Sequence, residues 1–125
     1  MNITEYKKGG KEKFAQYILG ADVGGTNSNF GIFGIKKKPI LLFSIHFSSR
    51  EINSIIPAII SVMSYCRERG ITIKKACIGA AGVISEDRKK CKITNLAWEI
   101  DTEEIKKKTK LTSCFLINDF EAIAL

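Results

Sequence analysis

Residues 20–30 read Gly20-Ala21-Asp22-Val23-Gly24-Gly25-Thr26-Asn27-Ser28-Asn29-Phe30 (GADVGGTNSNF), and the fold turns on what Asp22–Thr26 does. The stretch closes one apolar run, YILGADV (17–23), and opens another, NFGIFGI (29–35), so it joins two strands. It is not a dinucleotide GxGxxG turn, because Gly20, Gly24 and Gly25 are wrongly spaced, and no lysine follows as a Walker A loop requires. A strand, not a helix, comes next, so no helix N-terminus is available to an anion. Two readings remain. In a hairpin-type phosphate loop, Gly24 and Gly25 let backbone amides approach phosphate oxygens, Thr26 adds a hydroxyl, and Asp22 acts through Mg²⁺-bound water. In the plainer reading the glycines only make a turn, and residues 22–26 alone fit both.

Outward from the loop, ILLFSIHF (40–47) reads as a third strand. Leu41, Phe43, Ile45 and Phe47 share one face, and Leu42, Ser44, His46 and Ser48 the other. His46, the single histidine, has no metal-like partner nearby in sequence and is read as structural. From Glu51 to Arg69 the spacing becomes helical, with Ile52, Ile55, Ile56, Ile59, Ile60, Met63 and Cys66 as the apolar stripe. Pro57 places the firm start near Asn53 or Ser54, and Gly70 closes the helix. KKACIGAAG (74–82) is a strand running into a small-residue loop, and VISEDRKKCKITNLAW (83–98) has room for a short hairpin. Asp101 with Glu104 resembles a capping box for a helix over 102–109. SCFLIND (113–119) is the last strand, and FEAIAL begins a further helix.

The order βββαβαβα predicts an α/β fold, a mixed five-stranded sheet with helices on both faces. Residues 1–16 read as a polar tail and 17–125 as a single lobe. The chain stops at Leu125 inside an incipient helix, which reads as part of a longer protein.

A composition of 45% hydrophobic and 26% charged residues is that of a globular chain, and no apolar run approaches a membrane span. With no signal-peptide core in residues 1–17, the expected location is cytoplasmic. Cys66, Cys77, Cys91 and Cys114 lack zinc spacing and read as reduced core thiols. The net charge of +7 comes from short lysine groups without interleaved aromatics, so no nucleic-acid partner is expected. An anionic small molecule uses that charge better.

A second candidate site is LINDF (116–120). Asp119 follows an apolar strand, at the carboxyl edge where ligands collect in open sheets, and a carboxylate there can take a proton from a hydroxyl. Alternatively, Asn118 or Asp119 merely caps the helix starting at Phe120.

ADVGGTN at the first strand end, AAGVI at the fourth, TNLAW after it and INDFEAIA at the fifth together resemble bacterial-type glucokinases, across Ile18–Leu125. That resemblance implies a ribonuclease H-like, actin-like ATPase lobe of a sugar kinase that uses ATP and Mg²⁺. It implies that Asp22 holds the Mg²⁺ shell through water, that Gly24, Gly25 and Thr26 cradle phosphates, and that Asn27 borders them. Asn95, Asn118 and Asp119 would bind glucose or a similar hexose, Asp119 serving as base toward the 6-hydroxyl, while Trp98 packs behind the loop. The second lobe of such kinases is missing, so the chain by itself is expected to be inactive, and its uncovered face could drive a homodimer. A non-catalytic sugar-sensing module of the same fold, or a kinase for another hexose, are the alternatives.

Overall fold

The computed structural model describes residues 2–6, 14–93 and 96–118. β2 (Gln16–Val23), β3 (Asn27–Ile35) and β4 (Pro39–Ser48) form an antiparallel meander, and β5 (Lys75–Ala80) and β9 (Ser113–Asn118) extend it in parallel beside β2. The meander–crossover order expected from periodicity is therefore present. The sheet has six strands, however, ordered β1-β4-β3-β2-β5-β9. β1 (Asn2–Glu5) comes from the supposed polar tail and pairs antiparallel with β4, Ile3 facing Ile45. Phe14, also in that tail, is buried against the core.

One face of the large sheet carries the core: Leu19 and Val23 from β2, Phe30 and Ile32 from β3, Phe43 and Ile45 from β4, and Ala76 and Ile78 from β5. Across it lies α1 (Ile55–Arg67), burying Ile55, Ile56, Ala58, Ile59, Val62, Met63 and Cys66. The stripe differs from the sequence reading at Ile60, which is 47% exposed, while Ala58 and Val62 point inward. Ser54 caps the helix, its hydroxyl accepting from the Ile56 amide at 3.2 Å. Pro57 then falls in the first turn, where no amide is missed. At the other end Gly70 takes φ 75°. Its amide reaches the Arg67 carbonyl at 3.0 Å and the Ile71 amide reaches Cys66 at 2.9 Å, the paired bonds of a left-handed cap.

Between β5 and β9 the chain builds more than a hairpin. β6 (Gly82–Ile84), β7 (Lys90–Ile93) and β8 (Glu99–Asp101) make a second, three-stranded sheet. Asp101 ends it and caps α2 (Thr102–Lys108), accepting from the Glu103 and Glu104 amides at 3.0 and 3.3 Å. Glu104 binds Lys108 at 2.8 Å, and Lys106 to Lys108 occupy the last turn, where cations suit the helix dipole.

β4, β2, β5 and β9 point the same way, so the crossovers through α1 and α2 both step toward β9, and the two helices bury Ile59 and Ile105 in the same core, as right-handed connections would place them. On the opposite face, the described residues that line a groove of about 650 Å³ are all on strands and include Gly20, Gly31, Phe33, Leu41, Cys77 and Ile117. The Phe33 ring lies over Gly20 and Gly31, 3.0 Å from where a Cβ would stand on either. The helix expected from Phe120 falls outside the described residues.

Candidate functional site

The parallel strands bring the site together at their carboxyl ends. Val23, Ala80 and Asn118 stand in register on β2, β5 and β9, so Asn118 lies two strand spacings, about 10 Å, from the start of the glycine loop. The Ala81 amide donates to the Val23 carbonyl at 3.0 Å and carries the β2–β5 pairing one residue further. The two motifs, nearly a hundred residues apart in sequence, thus share one edge of the sheet.

Gly24–Thr26 links β2 to β3, and its bonding is one-sided. The Gly24 amide donates to the Asn27 carbonyl at 2.9 Å and closes the turn. The Gly24 carbonyl accepts from the Ser49 hydroxyl at 2.7 Å, and the Thr26 carbonyl accepts from the Ser49 amide at 2.8 Å. Beneath them the Ser28 and Ser49 hydroxyls are 2.7 Å apart and both residues are fully buried. The Gly25 and Thr26 amides and the Thr26 hydroxyl have no partner among the described residues. Carbonyls held from below, with amides that have no partner among the described residues, are what an anion cradle requires.

The glycines bear on the two readings of this turn. Among the described residues Gly70 is the only glycine with a positive φ, so neither Gly24 nor Gly25 is needed for a left-handed turn. A Cβ on Gly24 would meet only the Asn27 carbonyl oxygen, at an ordinary 3.5 Å. Among the described residues nothing demands a glycine at position 24.

Asp22 is exposed at the end of the open groove, flanked on neighbouring strands by Gly79 and Asn29. No group of three His, Cys, Asp or Glu gathers for a metal among the described residues. One exposed carboxylate beside a glycine loop still fits Mg²⁺, which keeps most of its waters and needs few protein ligands. Asn27 accepts from His46 Nε2 at 2.8 Å. Asn118 is half-buried at the end of β9, whereas Asn95 and Asp119 lie outside the described residues. Trp98 packs against the core, and its indole N–H is buried without an acceptor among the described residues.

The Glucokinase family model matches residues 19–125, from β2 through both motifs. The chain belongs to the glucokinase family. A glucokinase of Synechocystis sp. is 25% identical over 115 residues, an alignment covering 85% of this chain and 32% of that protein. The crystal structure of a glucokinase from an Antarctic psychrotroph superimposes with a TM-score of 0.76 at 28% identity, covering 87% of this chain and 34% of that one. That of a Balamuthia mandrillaris glucokinase in complex with glucose gives 0.71 at 24% identity, with 87% and 31% covered, and speaks for the fold. The chain spans about a third of the length of the glucokinases it matches.

Sequence reasoning placed the Gly24–Thr26 loop between two strands but missed what holds it. His46 is structural in a specific sense, since it bonds the loop residue Asn27. Ser49 sits in a short 3₁₀ turn after β4, in a run (Ser48-Ser49-Arg50-Glu51) with no periodic signal. Among the described residues no helix is long and apolar enough to cross a membrane.

Proposed function

We propose that this chain is the N-terminal lobe of an ATP-dependent glucokinase acting on the 6-hydroxyl of glucose in the cytoplasm. The observation that carries the reading is the pairing, at the same carboxyl edge of the sheet, of Asn118 with a glycine loop whose Gly25 and Thr26 amides are unengaged among the described residues. ATP with Mg²⁺ supplies the phosphoryl group and screens its charge.

The residues then divide the work. The Gly25 and Thr26 amides and the Thr26 hydroxyl hold phosphate oxygens, and Asn27 borders them. Asp22 accepts from metal-bound water rather than from phosphate, since two anions in contact repel. Asn95 and Asn118 orient the sugar by hydrogen bonds to its hydroxyls. Asp119, one residue past the end of β9, takes the 6-hydroxyl proton as the oxygen becomes the nucleophile. Little more is needed from the protein, because phosphoryl transfer is mostly positioning and charge stabilisation. A second lobe closing over this edge would exclude water and complete the site, so the lobe alone is not expected to turn over.

The test is a coupled assay of glucose phosphorylation with Mg-ATP on the full-length gene product, its Asp119→Asn variant and the 125-residue lobe. Activity in the long protein that falls at least 100-fold with Asp119→Asn supports the reading. Glucose binding without phosphate transfer would replace it with a sugar-sensing role.

A further inference from the structure

Ser28 and Ser49 are both fully buried, in positions where alanine would serve packing alone. A buried hydroxyl is costly unless bonded. Each hydroxyl has one proton to give, and Ser49 gives its proton to the Gly24 carbonyl. Ser28 therefore donates to Ser49, and the three groups form a directed chain, Ser28 to Ser49 to Gly24. Hydrogen bonds in series polarise and strengthen one another.

The consequence lies in peptide geometry. The Gly24 carbonyl and the Gly25 N–H belong to the same planar trans peptide and point in opposite directions. Gripping that carbonyl from the core side aims the Gly25 N–H away from the core. A Gly–Gly peptide is also the one most free to flip, for neither flanking residue has a Cβ to restrain it. A flip would present a carbonyl oxygen where an anion needs a donor.

We propose that Ser49, polarised by Ser28, is a positioning residue that locks the Gly24–Gly25 peptide so that the Gly25 N–H faces the phosphates of the nucleotide. The inference rests on the phosphate-loop reading above and adds a device to it. The Ser49 amide bond to Thr26 is kept by any side chain, so Ser49→Ala removes the lock while leaving the turn anchored at one point.

The experiment measures KM and kcat for ATP and for glucose separately, with calorimetric binding of Mg-AMPPNP, on full-length Ser49→Ala, Ser28→Ala and Gly25→Val. With Ser49→Ala, nucleotide KM and Kd are expected to rise about tenfold, and with Ser28→Ala about threefold, with glucose KM unchanged in both. Gly25→Val crowds the cradle without touching either serine and is expected to abolish nucleotide binding. If Gly25→Val binds nucleotide normally, the phosphate-loop reading itself fails. If Gly25→Val abolishes binding while Ser49→Ala leaves nucleotide affinity unchanged, the lock alone is overturned. An equal loss in both substrates with a lowered Tm reduces Ser49 to a structural role and also overturns it. Should Ser49→Ala not fold, Ser28→Ala decides: unchanged nucleotide affinity there sinks the proposal.

Discussion

Gly79 lies directly beside Asp22 on the neighbouring parallel strand, and both line the open groove. A Cβ at 79 would touch only the Ala21 carbonyl oxygen, at 3.5 Å, an ordinary contact. The lobe tolerates a side chain there; the space beside the carboxylate is what would be lost. Gly79→Ala is accordingly expected to change stability by less than about 1 kcal/mol. It should raise the Mg²⁺ concentration needed for half-maximal activity of the full-length protein several-fold. Thermal melts and a Mg²⁺ titration check the two halves, and an unchanged Mg²⁺ requirement would remove Asp22 from the metal shell.

Gly82 shows the opposite behaviour. A Cβ on it would collide with the Lys92 carbonyl on the paired strand β7, where backbone cannot step aside. We expect Gly82→Ala to cost about 2–3 kcal/mol, and Gly24→Ala to cost under about 1 kcal/mol while weakening nucleotide binding. Urea denaturation of the two variants side by side measures this split. Equal destabilisation would contradict the division into structural and ligand-facing glycines.

Burial pushes the Cys66 thiol up to about 11 from the ordinary 9.0, and Arg69 nearby offsets part of the rise. Cys114 is likewise pushed to about 11 by burial, against the pull of Lys106. In the unfolded chain these thiols ionise near 9, so their contribution is complete below pH 9 and is lost as pH rises toward 11. Stability should therefore fall between pH 9 and 11, and less steeply in Cys66→Ala than in the parent. Denaturant midpoints across that range, under reducing conditions, test the sign.

Asp101 joins β8 to α2, and its carboxylate accepts two amides of the first turn. Asp101→Ala is expected to cost about 1 kcal/mol, and Asp101→Asn much less, since asparagine caps nearly as well. Comparable losses for both would assign the effect to the 4.0 Å approach of Lys90 rather than to the cap.

What could be read from sequence was what local chemistry determines. The Ser54 start, the Gly70 stop and the Asp101 cap each depend on a few adjacent residues, and each is found where expected. The glycine loop was legible as an alternative between turn and cradle, while the φ values and the space around Gly24 that bear on the choice depend on the folded backbone. β1 was illegible because four residues with a single aliphatic side chain, Ile3, carry no alternation, and their partner lies some forty positions away. β6 and β8, at three residues each, are shorter than any periodicity can register. Ser49 was hidden for the same reason as β1. Its role comes from the return of β4 beneath the loop, a tertiary fact.

The six-stranded order also implies a schedule for assembly on the ribosome. β2, β3 and β4 are joined by three-residue loops, Gly24–Thr26 and Lys36–Lys38, so their closure costs little chain entropy. β1 leaves the exit tunnel first yet has no partner until β4 follows, and β5 must wait for α1 to be threaded across. The glycine loop lies within the early meander, and Ser49 follows directly after its last strand. Pulse-labelled hydrogen exchange should accordingly protect β2–β4 before β5 and β9, leaving the Gly24–Thr26 loop in place before the strand ending at Asn118 joins it.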